Sequence, residues 1–106
     1  MNKDTIKQIV ESYFEISISR NTRKRQYVEA RAIYFKLCRI FTQLSLEQIG
    51  KSVNRDHASV LHGVKSINTW VQVDKRMNNN MRILKNKIIN YQVEKDKTVE
   101  LNESIV

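Results

Sequence analysis

Asp56 and His57 stand side by side, followed by the small residues Ala58 and Ser59. A carboxylate in such a place can accept a hydrogen bond from the N4 amine of cytosine, and a methyl group can pack on a thymine methyl. The same carboxylate can also cap a helix, because a short side-chain oxygen satisfies amides left unpaired in the first turn. Capping is the minimum role for Asp56, and the two roles are compatible. His62 lies five residues after His57, whereas two ligands on one helical face need a spacing of three or four. With Cys38 the sole cysteine in the chain, no zinc or other metal site is expected. Glu11, Glu15, Asp56 and the two histidines fall on separate segments without paired spacing. No Gly-x-x-x-x-Gly-Lys-Ser/Thr phosphate loop occurs, so neither an enzyme nor a bound nucleotide or other cofactor is expected.

The elements that would position these side chains are two short helices. Leu46, Ile49 and Val53 repeat at three and four, and so do Val60, Leu61, Val64 and Ile67, each set placed on one helical face. Ser45 is the expected cap of the first helix and Asp56 of the second. Asn54, between them, tolerates the left-handed conformation that a sharp helix stop requires. The stretch 45–72 therefore predicts a helix-turn-helix, whose second helix is shaped to enter a DNA major groove.

The letters of this stretch carry a resemblance. Arg55-Asp56-His57-Ala58-Ser59-Val60-Leu61-His62-Gly63 is similar to the run Arg-Asp-His-Thr-Thr-Val-Leu-His-Ala of the C-terminal DNA-binding domain of the bacterial replication initiator DnaA. Ser45-Leu46-Glu47-Gln48-Ile49-Gly50 matches that family's Ser-Leu-x-x-Ile-Gly. The match is dense over residues 44–67 and looser over 20–92. The turn is one residue shorter than the commoner family form, with Asn54 where two glycines usually stand. The resemblance implies a stand-alone module that reads double-stranded DNA, with the initiator's ATPase part absent.

Upstream lies a loop, 17–25, rich in bases, hydroxyls and amides: Ser-Ile-Ser-Arg-Asn-Thr-Arg-Lys-Arg. Such a run is ordinarily a solvated connection; the sharper reading is phosphate contact and insertion of an arginine into the minor groove. The resemblance places that arginine at Arg23, with Arg20, Lys24 and Arg25 as neighbours able to take its part. The family's Pro-Arg-Gln is Ala30-Arg31-Ala32 here, and the resemblance gives Arg31, read as lying off the core stripe, a guanine contact. His57 is assigned a base contact on the same ground, and Ala58 and Ser59, in place of two threonines, also face bases. His62 is assigned a phosphate, against the alternative of a hydrogen-bonded packing residue. Ser45, Lys51, Arg55 and Lys65, with Arg20, Lys24 and Arg25, complete the expected backbone contacts.

The remaining sequence predicts an all-α fold, a small bundle of about five helices. Ile6, Ile9, Val10, Tyr13 and Phe14 mark a first helix over 3–16, and Ala30, Ile33, Tyr34, Leu37, Cys38 and Phe41 a second over 26–42. Cys38 reads as a small buried hydrophobe and Trp70 as a core anchor. A last helix over 75–92 carries Met77, Met81, Leu84, Ile88 and Tyr91, expected to pack on the domain. One domain over 1–92 is expected, with 93–106 a disordered acidic tail. The chain has a net charge of +8, and residues 17–39 alone hold seven bases and one acid, which suggests a polyanionic partner. No membrane span or signal peptide is evident, and a bacterial cytoplasmic setting is expected, with a phage or mobile element a natural source. Two other functions fit the same fold: a transcription regulator with its own operator, and a module that contacts other replication proteins.

Overall fold

The computed structural model describes residues 1–105, with side chains described for 1–96. Among the described residues there are five helices and no strand: α1 (Lys3–Phe14), α2 (Arg25–Phe41), α3 (Leu46–Lys51), α4 (His57–Val73) and α5 (Lys75–Ile105). None is long and apolar enough to cross a membrane.

The core is organised on α2, which packs against α1, α3 and α4. Ala30, Ile33, Tyr34, Leu37 and Cys38 are all fully buried. A large apolar side chain so placed contributes ~1.5–3 kcal/mol relative to its exposed state. Ile6 and Val10 of α1, Ile49 and Val53 around α3, and Val60 and Ile67 of α4 close on this centre. Met77, Met81, Leu84 and Ile88 lay α5 across it, four positions of the expected stripe. Trp70 is half-buried against the same cluster. The Tyr34 hydroxyl shares a 2.6 Å hydrogen bond with Ser52, tying α2 to the end of α3.

Helix boundaries follow local chemistry. Asn2 caps α1 by accepting from the Thr5 amide at 2.8 Å, and Glu15 ends it in the left-handed region with φ 57°. Ser45 and Gln48 form a reciprocal capping box on α3, which satisfies two first-turn donors at once. Asn54 adopts φ 59°, the left-handed stop expected of it. Asp56 caps α4 by accepting from the Ser59 amide at 2.8 Å. Asp74 ends α4 through its amide, bonded to the Trp70 carbonyl at 2.8 Å, and caps α5 through its carboxylate, which accepts from the Arg76 amide at 2.9 Å.

The two glycines mark close approaches. A Cβ on Gly50 would sit 2.5 Å from the Arg55 carbonyl oxygen, so the turn between α3 and α4 folds back onto bare backbone. A Cβ on Gly63 would sit 2.8 Å from Cδ2 of Phe35, whose ring fills the space an alanine methyl would occupy.

Three placements differ from the sequence reading. Leu61 is 43% exposed, not a core position, because α4 buries the ridge of Val60, Val64 and Ile67 and turns Leu61 outward. Tyr91 is also exposed, at 41%, although it lies beside α1 near Ile9 and Tyr13. The backbone of α5 is helical to Ile105, past Gln92 where its apolar stripe ends. The acidic tail expected over 93–106 falls largely outside the residues whose side chains are described.

Candidate nucleic-acid interface

The Asp56 cap sets the orientation of the start of α4. Its carboxylate is held below the usual carboxylate range, chiefly by the Ser59 hydrogen bonds and with help from nearby His57. It is thus ionised at neutral pH and retains lone pairs beyond the one the cap uses. His57 and Ala58 follow on the surface, and Leu61, His62, Lys65 and Thr69 continue the exposed face down the helix. Ser59 is half-buried beside it, with its amide in the cap. The helix thus shows one acceptor, two imidazoles, a methyl and a lysine on a single open face.

Next to this face lies the loop 17–25, and the structure shows what fixes it. Ile18 is fully buried, a plug that the charge of the surrounding loop hides in the sequence. Its amide donates to Glu11 Oε2 at 2.9 Å. Arg31 Nη1 donates to the carbonyls of Ile18 at 3.2 Å and Arg20 at 3.1 Å. Its Nη2 donates to the Thr22 carbonyl at 2.6 Å. Arg55 adds a bond to the same Arg20 carbonyl at 3.4 Å while holding those of Asn54 at 3.1 Å and Val53 at 3.5 Å. Two arginines, one from α2 and one from the turn before α4, thereby stitch the loop to the helix-turn-helix.

Arg31 is the main correction to the sequence reading. Expected on the surface to reach a guanine, it is 6% exposed and its fork is engaged by three loop carbonyls. In this arrangement its guanidinium holds the loop against α2. Burial and then the neighbouring Arg55 charge lower its pKa, yet a guanidinium stays charged in a protein. The loop folding back over α2 is what covers it, and no periodicity within α2 announces that cover.

The other basic residues divide by what already holds them. Arg20 donates to the Tyr27 hydroxyl at 3.3 Å and lies over that ring, 5.9 Å from its centroid. Arg25 is paired with Glu29 at 2.6 Å. Glu29 is nearly buried and also takes Arg76 from α5 at 2.9 Å, a link that joins two helix starts and that sequence reasoning missed. Lys51 pairs with Glu47 at 3.6 Å on the surface of α3. The Ser45 hydroxyl is used in its capping box. Arg23 and Lys24 are exposed, and among the described residues their side chains make no hydrogen bond or ion pair.

Between loop and recognition face runs a groove of about 430 Å³. Arg23, Arg31, Arg55, Ser59 and His62 line it, with Phe35 and Trp70 among its apolar groups. None of its lining residues is acidic. Among the described residues no group of three or more His, Cys, Asp or Glu is placed to hold a metal ion.

A capped, outward-facing helix after a tight left-handed turn, flanked by a pinned basic loop, defines a helix-turn-helix module. The family described as the bacterial DnaA protein helix-turn-helix matches residues 3–67, and the chain belongs to it. Chromosomal replication initiator protein DnaA of Flavobacterium psychrophilum is 36% identical over 77 residues, 69% of this chain and 16% of that protein. The protein of the same name from Bacteroides thetaiotaomicron is 38% identical over 76 residues, 68% of this chain and 16% of the relative. That of Lachnoclostridium phytofermentans is 37% identical over 89 residues, 80% of this chain and 20% of the relative. The chain thus spans a fifth or less of the length of these relatives.

Proposed function

We propose that this chain binds double-stranded DNA at sites similar to DnaA boxes, in the initiation of replication or its control. The observation that carries the reading is the pairing of two surfaces. The exposed start of α4, with Asp56, His57 and Ala58, stands beside a loop that Arg31 and Arg55 hold in place and that leaves Arg23 unengaged. In this reading α4 enters the major groove and Arg23 reaches the adjacent minor groove. The strand between the two grooves then crosses the groove lined by Arg55, Ser59 and His62. That Arg20 and Arg25 are already bonded supports Arg23 over them as the inserted side chain. Lys24 and Lys65, both exposed, supply phosphate contacts, and Ser45 and Lys51 at α3 are further candidates.

The activity is binding, without a chemical step. Its setting is the bacterial cytoplasm, and other replication proteins are its second class of partner. Ala58 and Ser59, standing where the related run has two threonines, favour a preferred sequence that differs from the usual box. Selection of bound duplexes from a random pool, followed by titration of the winner against a DnaA box and a scrambled duplex at fixed salt, tests the reading. Discrimination between box-like and scrambled DNA is expected. Equal affinity for all three would end it, and a winner unrelated to the box would favour a regulator with its own operator. Lys24→Gln should weaken every duplex alike and reduce the salt slope by about one.

A further inference from the structure

A second depression, of about 350 Å³, lies where α2, α4 and α5 meet. Three cations stand round it: Lys36 from α2, and Arg82 and Lys85 from α5. Asn68 of α4 and Asn78 of α5 add amides, and no carboxylate lines it. Among the described residues none of the three cations is in an ion pair; the Arg82 guanidinium is turned only by a bond to the Asn79 side chain. Arg25, Lys51 and Arg76 have acidic partners, whereas among the described residues Arg23, Lys24 and Lys65 share the unpaired state of these three; what sets the three apart is that they surround one concavity. Three uncompensated positive charges round one concavity repel one another, and an anion seated among them relieves that repulsion.

Its position relative to the recognition helix narrows the occupant. The ridge of α4 that includes Ser59, His62, Ser66 and Trp70 faces the groove beside the basic loop. Ile67, Asn68 and Val71 face this second depression. The two hollows therefore lie on opposite flanks of α4. A helix lying in a major groove has one sugar-phosphate strand on each flank. From His57 to Asn68 is eleven residues of helix, about 16 Å at ~1.5 Å per residue. The depression therefore lies about three helical turns beyond the start of α4.

We infer that Lys36, Arg82 and Lys85 form a phosphate-binding cradle for the strand on the α5 side of the recognition helix. It extends the contact with the same duplex past the sequence that α4 reads. The cradle carries no base readout, so it adds affinity to every sequence and makes that affinity depend on salt. It rests on the duplex-binding reading above.

The test compares the wild type with the triple variant Lys36→Gln, Arg82→Gln, Lys85→Gln. A charge-matched control carries Lys7→Gln, Lys87→Gln and Lys95→Gln, on α1 and on α5 outside the depression. All three proteins are titrated over a salt series with a duplex extended by a helical turn on both sides of the site, and with one trimmed to the site. Thermal melts followed by circular dichroism confirm that each is folded. If two or three phosphates are held, at ~0.9 per phosphate, the slope of log affinity against log salt falls by about 1.8–2.7 in the cradle variant. Between about 50 mM and about 200 mM salt, that corresponds to a salt-induced loss of affinity smaller by roughly 10–40-fold than the wild type's. The change is expected on the extended duplex, with little on the trimmed one and a much smaller one in the control. A cradle variant with the wild-type slope, or with the same slope as the control, overturns the inference while duplex binding by the wild type stands. A wild type with no affinity for duplex overturns both.

Discussion

Replacing Arg31 by alanine separates a residue that reads a base from one that holds a loop. The guanidinium makes three bonds to loop carbonyls, at 3.2, 3.1 and 2.6 Å. A hydrogen bond to a charged group nets ~1.5–3 kcal/mol. The three share one side chain, and Arg55 still reaches the Arg20 carbonyl at 3.4 Å. Their joint loss is therefore well below a simple sum, about 2–4 kcal/mol. At ~4–8 °C per kcal/mol for a domain near this size, Tm falls by roughly 8–32 °C, toward the low end if the loop detaches locally. Arg31→Lys keeps the charge but replaces a planar fork with a point donor, and recovers less than half of the loss. Circular dichroism melts measure the stability, and fluorescence anisotropy with matched and base-substituted duplexes measures the binding. With the loop released, affinity falls for all duplexes together and the ratio between matched and substituted sites is held within about threefold. A lost guanine fork would instead change that ratio by ~1–3 kcal/mol at one base pair, about 5–150-fold. A variant with unaltered Tm and a collapsed ratio at a single G·C pair refutes the positioning role.

Gly63→Ala gains ~1 kcal/mol of helix propensity but forces a methyl against the Phe35 ring, an overpacking cost of ~1–3 kcal/mol. It should lower stability in the native background and raise it in Phe35→Leu, with a coupling of about 1–2 kcal/mol in a double-mutant cycle; additive effects would rule out the contact. Asp56→Ala should lower Tm by uncapping α4, whereas Asp56→Asn keeps the cap, loses only the charge-dependent part of its stabilisation and alters base preference. The folded Asp56 pKa is depressed, so the charge-dependent part of that stabilisation is complete above the ordinary aspartate pKa and disappears as pH falls through the folded value. Melts of wild type and Asp56→Asn across the acid range should therefore converge at the lowest pH. Cys38 is fully buried, and burial pushes its thiol up to about 12. It should resist a disulfide reagent at pH 8 and react only at the rate of unfolding; rapid labelling of the folded protein would contradict its placement.

Local chemistry was legible wherever it depends on neighbours in the chain. The apolar spacing of Ile49 and Val53 and of Val60 and Ile67, the caps at Ser45 and Asp56, and the left-handed Asn54 all follow from a few adjacent residues. The helix-turn-helix and its exposed leading edge are therefore written in the sequence. Its motif was dense enough to indicate the family as well.

What the letters could not decide were the fates of side chains settled across the fold. Leu61 and Val64 both fit an apolar helical pattern, and only the direction from which α2 and α3 approach α4 turned one outward and the other in. Arg20, Arg23 and Arg25 are equivalent as letters in a basic loop; Tyr27 and Glu29 engage two of them and leave Arg23 open. Arg31 went furthest from expectation. Its burial needs a loop that ends up over α2, and the carbonyls it satisfies belong to backbone nine to thirteen residues away. Helical periodicity records which face of a segment is apolar, whereas a buried charge is placed by distant acceptors that must converge on it in three dimensions.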